Sequence, residues 1–210
     1  MKILSHRGFW NEPGERNSLA ALARSLDLGF GLETDIRDCG GRLVISHDVP
    51  VGDEVEFDEL LQRFHNRNLP LAVNIKADGL ATLVKRAISA YNIEEWFVFD
   101  MSIPDMRSYL NERVPVFARV SDVEKVPPWI EEVAGIWFDS FSGDTYDSAT
   151  IAGYLRAGKR VCVVSPELHQ RPYHAVWREI GKLPDQARLM ICTDYPEQAR
   201  QFFITDRSNG

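Results

Sequence analysis

Ser18-Leu19-Ala20-Ala21-Leu22-Ala23-Arg24-Ser25-Leu26-Asp27-Leu28-Gly29-Phe30-Gly31-Leu32-Glu33-Thr34-Asp35-Ile36 reads as a helix that passes at once into a strand. Leu19, Leu22, Ala23 and Leu26 recur at helical spacing over Ser18–Leu28, and Gly29 is the residue that ends such a helix. Strand geometry over Gly31–Ile36 sends Glu33 and Asp35 to the same side, because side chains alternate with period two. The alternation continues in both directions. Strands are expected at Lys2–Ser5, Gly31–Ile36, Leu71–Ile75, Trp96–Phe99, Val116–Val120, Gly135–Phe138, Arg160–Val164 and Leu189–Cys192, with Leu43–Ser46 as a further short extended piece. Helices are expected at Ser18–Leu28, Phe57–Phe64, Leu80–Tyr91, Pro104–Leu110, Ser148–Ala157, Tyr173–Ile180 and Pro196–Phe203. Asp122–Val133 carries Pro127-Pro128 and is expected to give only a short helix.

Unbroken apolar runs such as Val161-Cys162-Val163-Val164 belong to strands covered on both faces, as in parallel sheets. Strands alternating with helices make this an α/β chain, and eight such units predict a TIM (β/α)8 barrel, compact beside the typical ~250 residues. One domain is expected over residues 1–205, with Asp206–Gly210 as a frayed tail. In such a barrel the chemistry sits at the C-terminal ends of the strands. His6, Glu33, Asp35, Asn74, Lys76, Asp100, Arg119, Asp139, Ser165, Glu167 and Asp194 all fall there.

Bulk properties narrow the function. A net charge of −7 argues against nucleic acid or an anionic membrane surface as a general partner. No apolar run reaches the roughly 18 residues of a membrane helix, so stable membrane insertion is not expected. Met1-Lys2-Ile3-Leu4 leads straight into Ser5-His6-Arg7-Gly8, without the apolar stretch of a signal peptide. Three cysteines, Cys39, Cys162 and Cys192, are odd in number and far apart, as buried thiols in a reducing compartment would be. A cytoplasmic location is the expectation.

The polar residues suggest one chemistry. Glu33 and Asp35 are hard oxygen donors suited to Mg²⁺ or Ca²⁺. His6 and His47 supply imidazoles that titrate near neutrality, one to take a proton and one to give it. Arg7 can fork two phosphate oxygens and Lys76 can act as a point charge beside them. A cation, an acid, a base and a phosphate clamp are what phosphodiester cleavage requires.

His6-Arg7-Gly8, the helix start Asn17-Ser18, Gly31-x-Glu33-x-Asp35, His47-Asp48 and the closing Ile191-Cys192-Thr193-Asp194-Tyr195-Pro196 resemble the glycerophosphodiester phosphodiesterase family. That family belongs to the superfamily of phosphatidylinositol-specific phospholipases C. The resemblance implies hydrolysis of a small-molecule glycerophosphodiester to an alcohol and a phosphomonoester like sn-glycerol 3-phosphate. It implies His6 and His47 as the acid–base pair and a divalent cation on Glu33, Asp35 and a third protein ligand. Asn74 stands where the family usually has a glutamate for that third ligand, so one formal charge is lost. Arg16 stands where the family has glutamate before Asn17. These departures leave open a changed metal site, a more anionic substrate or lost activity. A catalytically weakened barrel that binds a phosphorylated ligand, or a phospholipase-like lyase that forms a cyclic phosphate, are the alternatives. The stretch between His47 and Asn74 is short where the family has an insertion, which predicts an open mouth. Trp10, Arg119, Asp139, Phe141, Glu167 and Tyr195 are candidate wall residues.

Overall fold

The structure is a computed structural model that describes residues 1–142 and 146–205. In chain order the elements are β1 (Lys2–His6), α1 (Leu19–Asp27), β2 (Gly31–Cys39), β3 (Arg42–Ile45), α2 (Phe57–Phe64), β4 (Leu71–Ile75), α3 (Ala81–Ser89) and β5 (Trp96–Phe99). They continue with α4 (Ile103–Asn111), β6 (Phe117–Val120), β7 (Gly135–Phe138), α5 (Ser148–Arg156), β8 (Arg160–Val164), α6 (His174–Gly181), β9 (Leu189–Thr193) and α7 (Pro196–Thr205). Short 3₁₀ turns occupy Pro13–Glu15 and Pro166–His169. The expected tail, 206–210, lies outside the described residues.

Two units pack internally, His6–Val116 and the combination of Met1–Ser5 with Phe117–Gly210. In the first, β2 pairs with β4 and β4 with β5, all parallel. Parallel neighbours need a covering crossover, and the connecting helices supply it. Helix α2 shows why the sequence folds this way. Its Phe57, Leu60, Leu61 and Phe64 lie at helical spacing and all four are fully buried, while the intervening positions are exposed. Helix α1 starts at Ser18, whose hydroxyl accepts from Ala21 N at 3.2 Å, and packs on both β2 and α2.

Strand β2 runs three residues past its expected end. Gly40 and Gly41 both have positive φ, 57° and 81°, the backbone of a tight hairpin turn, and they fold Arg42–Ile45 back antiparallel onto Ile36–Cys39. That ladder continues with Ser46 N donating to Asp35 O at 3.0 Å, so His47 follows directly on a residue fixed to β2.

The second unit is a run of parallel pairs, β1 with β9, β9 with β8, β8 with β7 and β7 with β6. Its core gathers Val120, Ile136, Phe138, Ile151, Leu155, Val161, Val163, Trp177, Ile180 and Ile191. Trp177 is fully buried and satisfies its indole N–H on Ser165 Oγ at 2.7 Å. The short helix expected within Asp122–Val133 does not form; the segment is turn and bend. Pro127 and Pro128 lack the donors a helix needs, and Trp129 adopts a left-handed φ of 47°.

Gly31 sets the start of the strand that carries the acidic pair. Leu32 N donates to Pro70 O at 2.9 Å, and a Cβ on Gly31 would meet Pro70 Cγ at 2.5 Å and Pro70 O at 2.7 Å. Gly31→Ala must therefore push β2 from β4, and a loss of about 1–3 kcal/mol is expected, the usual cost of overpacking. Urea denaturation checks it, and an unchanged midpoint would show that the strands separate freely there.

Candidate functional site

The site is built inside the unit His6–Val116, from His6 and the residues that follow it and from the ends of β2 and β4. Glu33 and Asp35, two apart on β2, share a face and are 1% and 0% exposed. The parallel register sets Asn74 of β4 directly beside Asp35, so the amide joins the two carboxylates on the same side. The chain after β1 then closes over them. Arg7 takes a left-handed φ of 56° and its N–H donates to Glu33 O at 3.0 Å and Glu33 Oε2 at 3.2 Å. Its guanidinium Nε stands 2.9 Å from Asp35 Oδ2.

Gly8 is what lets the chain pass. Its φ is 86°, and a Cβ there would lie 2.8 Å from Ala21 C and 2.9 Å from Leu22 N, both backbone atoms of α1. Only glycine fits that approach and that conformation together. Phe9 N donates to Ala21 O at 3.0 Å and so continues the contact with α1. Asn17, also left-handed with φ 60°, donates its backbone N to Arg7 O at 2.9 Å. Its side-chain NH₂ donates to Asp35 Oδ2 at 2.9 Å, and its Oδ1 accepts from the Thr34 hydroxyl at 2.9 Å. Sequence reasoning treats Asn17 only as a helix start. Its additional role as the clamp on Asp35 depends on a tertiary contact that no local pattern reveals.

Three cationic or titratable groups, Arg7, His6 and Lys76, face the acids, and His47 is not among them. His6 Nε2 lies 4.0 Å from Glu33 Oε2, and Lys76 Nζ lies 3.5 Å from Asp35 Oδ1. Burial pushes the Glu33 carboxyl from its ordinary 4.5 up to about 7, and the neighbouring Asp35 charge adds to the rise. His6, Arg7 and Lys76 oppose it without overcoming it. His47 is half exposed, its Nδ1 2.9 Å from Asp48 Oδ1. Arg37 Nε donates to the His47 carbonyl at 3.1 Å, which fixes the loop backbone. Trp10 donates its indole N–H to His6 O at 3.2 Å, and the Arg16 guanidinium lies 4.4 Å over the Trp10 ring.

The donor set fits a hard divalent cation. Glu33, Asp35 and Asn74 offer oxygens alone, as Mg²⁺ and Ca²⁺ prefer. Asp35 Oδ1 and Asn74 Oδ1 are buried acceptors with no hydrogen-bond partner, Asp35 Oδ1 meeting only the Lys76 ammonium at 3.5 Å, which is consistent with oxygens that could serve a cation. Among the described residues no group of three or more His, Cys, Asp and Glu side chains could hold a metal, which follows from the amide at the third position.

The remaining candidates lie in the other unit. Asp139 accepts from Ser140 N at 2.7 Å and stands 2.8 Å from His169 Nε2. Glu167 accepts from Thr193 Oγ1 at 2.5 Å, from Asp194 N at 3.1 Å and from the Ser165 hydroxyl. Burial raises its carboxyl above the ordinary range. Arg119 pairs with Glu124 and stands over the Phe141 ring at 5.4 Å. The His169–Asp139 pair has no sequence signal, since thirty positions separate the two residues.

No protein-family model matches the chain, and no curated protein matches it by sequence. Solved structures do. A glycerophosphodiester phosphodiesterase from Agrobacterium tumefaciens superposes with a TM-score of 0.71 at 19% identity, covering 99% of both chains. A Ca²⁺-dependent phosphatidylinositol-specific phospholipase C from Streptomyces antibioticus gives 0.60 at 12% identity, covering 96% of this chain and 95% of that one. The fold is theirs. It is the (β/α)8 barrel expected from the sequence, and it is not confined to one chemistry. A dihydropteroate synthase from Xanthomonas albilineans gives 0.54 at 15% identity over 99% of this chain and 91% of that one.

The Glu33 shift makes a pH prediction for the cation-free chain. Between about 4.5 and 7 the folded chain holds a proton that the unfolded chain has released. The stability this proton contributes is full below the unfolded value, declines as pH rises and is gone above about 7. Its slope reaches at most about 1.4 kcal/mol per pH unit. Urea denaturation with chelator across pH 4.5–8 should show this decline, and Glu33→Gln should flatten it. Parallel curves for the two proteins would assign the decline to another group.

Proposed function

We propose that the chain is a phosphoric diester hydrolase of the glycerophosphodiester type. It would cleave a small-molecule glycerophosphodiester to an alcohol and a phosphomonoester resembling sn-glycerol 3-phosphate. The observation that carries this reading is the buried Glu33–Asp35 pair set against Arg7, Lys76 and His6, on a fold shared with two phosphodiesterases. The same fold in a synthase means that the residues, not the barrel, bear the weight of the argument.

The residues divide the work as follows. Arg7 and Lys76 hold the non-bridging phosphoryl oxygens, the guanidinium as a fork and the ammonium as a point charge. Both already lean on Asp35, which keeps them in place before substrate arrives. A Mg²⁺ or Ca²⁺ ion held by Glu33, Asp35 and Asn74 Oδ1 would withdraw further charge from the phosphoryl group. The Streptomyces phospholipase is Ca²⁺-dependent, which supports a divalent cation here.

His6, fixed through its carbonyl by Trp10, moves one proton, and His47 moves the other. Asp48 at the His47 Nδ1 favours the tautomer with its proton there and leaves Nε2 for transfer. One histidine deprotonates the nucleophile and the other protonates the leaving alkoxide. The nucleophile is water, or a substrate hydroxyl that first closes a cyclic phosphate.

No helix among the described residues is long and apolar enough to cross a membrane, and no disulfide joins Cys39, Cys162 and Cys192. Both observations support a chain that works on water-soluble diesters in the reducing cytoplasm.

Product analysis across glycerophosphodiesters, with Mg²⁺ or Ca²⁺ and with chelator, tests the reading. Release of a glycerol phosphate is expected. Ligand binding without turnover of any diester would favour the weakened barrel instead. His6→Ala and His47→Ala should each lower turnover by about 10²–10⁴, the usual loss of one general acid or base. A variant that retains a tenth of the wild-type rate would remove its histidine from that role.

Asn74→Glu tests the cation site separately from activity. A third carboxylate beside Asp35 should tighten Mg²⁺ or Ca²⁺ binding, since charge interacts strongly in a buried site. Calorimetry on the metal alone reads this. Unchanged or weaker binding would place Asn74 outside the cation's reach.

A further inference from the structure

We infer that His169 and Asp139 form a binding site for the hydroxyls of a neutral polyol, within the unit that combines Met1–Ser5 with Phe117–Gly210. The inference goes beyond the phosphodiesterase reading, whose steps use neither residue. The pair arises at the ends of two neighbouring parallel strands. Asp139 directly follows β7, and His169 closes the 3₁₀ turn that follows β8. His169 Nε2 lies 2.8 Å from Asp139 Oδ1, and the same oxygen accepts from Ser140 N at 2.7 Å. The imidazole side chain keeps 26% of its surface exposed, the carboxylate side chain only 9%. The turn that carries His169 does not depend on this pairing. Leu168 N donates to Ser165 O at 3.1 Å, Gln170 N to Glu167 O at 2.9 Å and Arg171 N to Pro166 O at 3.1 Å. Glu167 anchors the turn further by accepting from Thr193 Oγ1 and Asp194 N. The backbone thus sets the position of His169, and bracing the turn does not account for its ring pair.

The chemistry of the pair selects the ligand. An ionised carboxylate accepts and never donates, so Nε2 holds a proton and Nδ1 of the neutral ring is left as a lone-pair acceptor. Among the described residues neither Nδ1 nor Asp139 Oδ2 makes a hydrogen bond. Phe141 stands edge-on to the imidazole, with ring centroids 5.6 Å apart, and is 38% exposed. Two acceptors bordered by aromatic carbon call for a partner that brings O–H donors on a C–H frame. A polyol brings both, whereas a carboxylate would set acceptor against acceptor.

Nitrogen NMR of the histidine rings in the full chain tests this at about pH 8.5, above the ordinary imidazole range. His169→Gln identifies the His169 signals by their loss. In the wild-type chain Nε2 should carry the proton and Nδ1 should be bare. Erythritol and sorbitol should each shift the Nδ1 signal saturably. The tetramethyl ether of erythritol, with the same carbon chain and no O–H, should leave it in place. Asp139→Asn should weaken polyol binding by about tenfold, the usual effect of losing a charged hydrogen-bonding group. A proton on Nδ1, a shift produced equally by the ether, or no saturable shift with either polyol overturns the inference, as does an unchanged affinity in Asp139→Asn. Should that variant not fold, the wild-type titrations decide alone. No step of the test measures diester turnover, so the inference and the phosphodiesterase reading stand or fall separately.

Discussion

Everything at this site depends on one close approach, that of Gly8 to the backbone of α1. At that point the chain leaving β1 must turn, and it does so through consecutive left-handed residues, Arg7 and Gly8. A left-handed arginine costs of order 1 kcal/mol or more and persists only where surroundings hold it. Here the hold is explicit. Arg7 N is fixed on Glu33, Arg7 O on Asn17 N, and Phe9 N on Ala21 O. The bend delivers the guanidinium to Asp35 and leaves His6 beside Glu33. The three letters His-Arg-Gly are thus a backbone instruction as much as a chemical one.

That bend also addresses the main energetic problem of the unit. Two carboxylates two residues apart are buried almost completely, and buried charge is expensive unless paired. Asp35 is offset by Arg7, Lys76 and the Asn17 amide. Glu33 has weaker support, with His6 at 4.0 Å and one backbone N–H, and its carboxyl rises to about 7. A structure built only for stability would not keep such a pair. Apolar residues of similar size serve a core better, so stability alone does not account for the buried pair.

The fold was largely legible because its signals are local and repeated. Apolar runs such as those of β8 and the helical spacing of α2 mark their elements without tertiary help, and Phe57–Phe64 and Arg160–Val164 fall where expected. The misses are of two kinds. Strand β2 runs on to Cys39 because β3 folds back on it through Gly40-Gly41, a pairing the single-strand pattern does not contain. The Asp122–Val133 helix is absent because two prolines and a left-handed Trp129 outweigh its apolar spacing. At the site, side chains on adjacent strands could be anticipated from spacing, and Glu33, Asp35, Asn74, Lys76 and Arg7 do come together. The Asn17 clamp and the His169–Asp139 pair could not be anticipated. Each joins positions distant in sequence through single hydrogen bonds that carry no periodic trace.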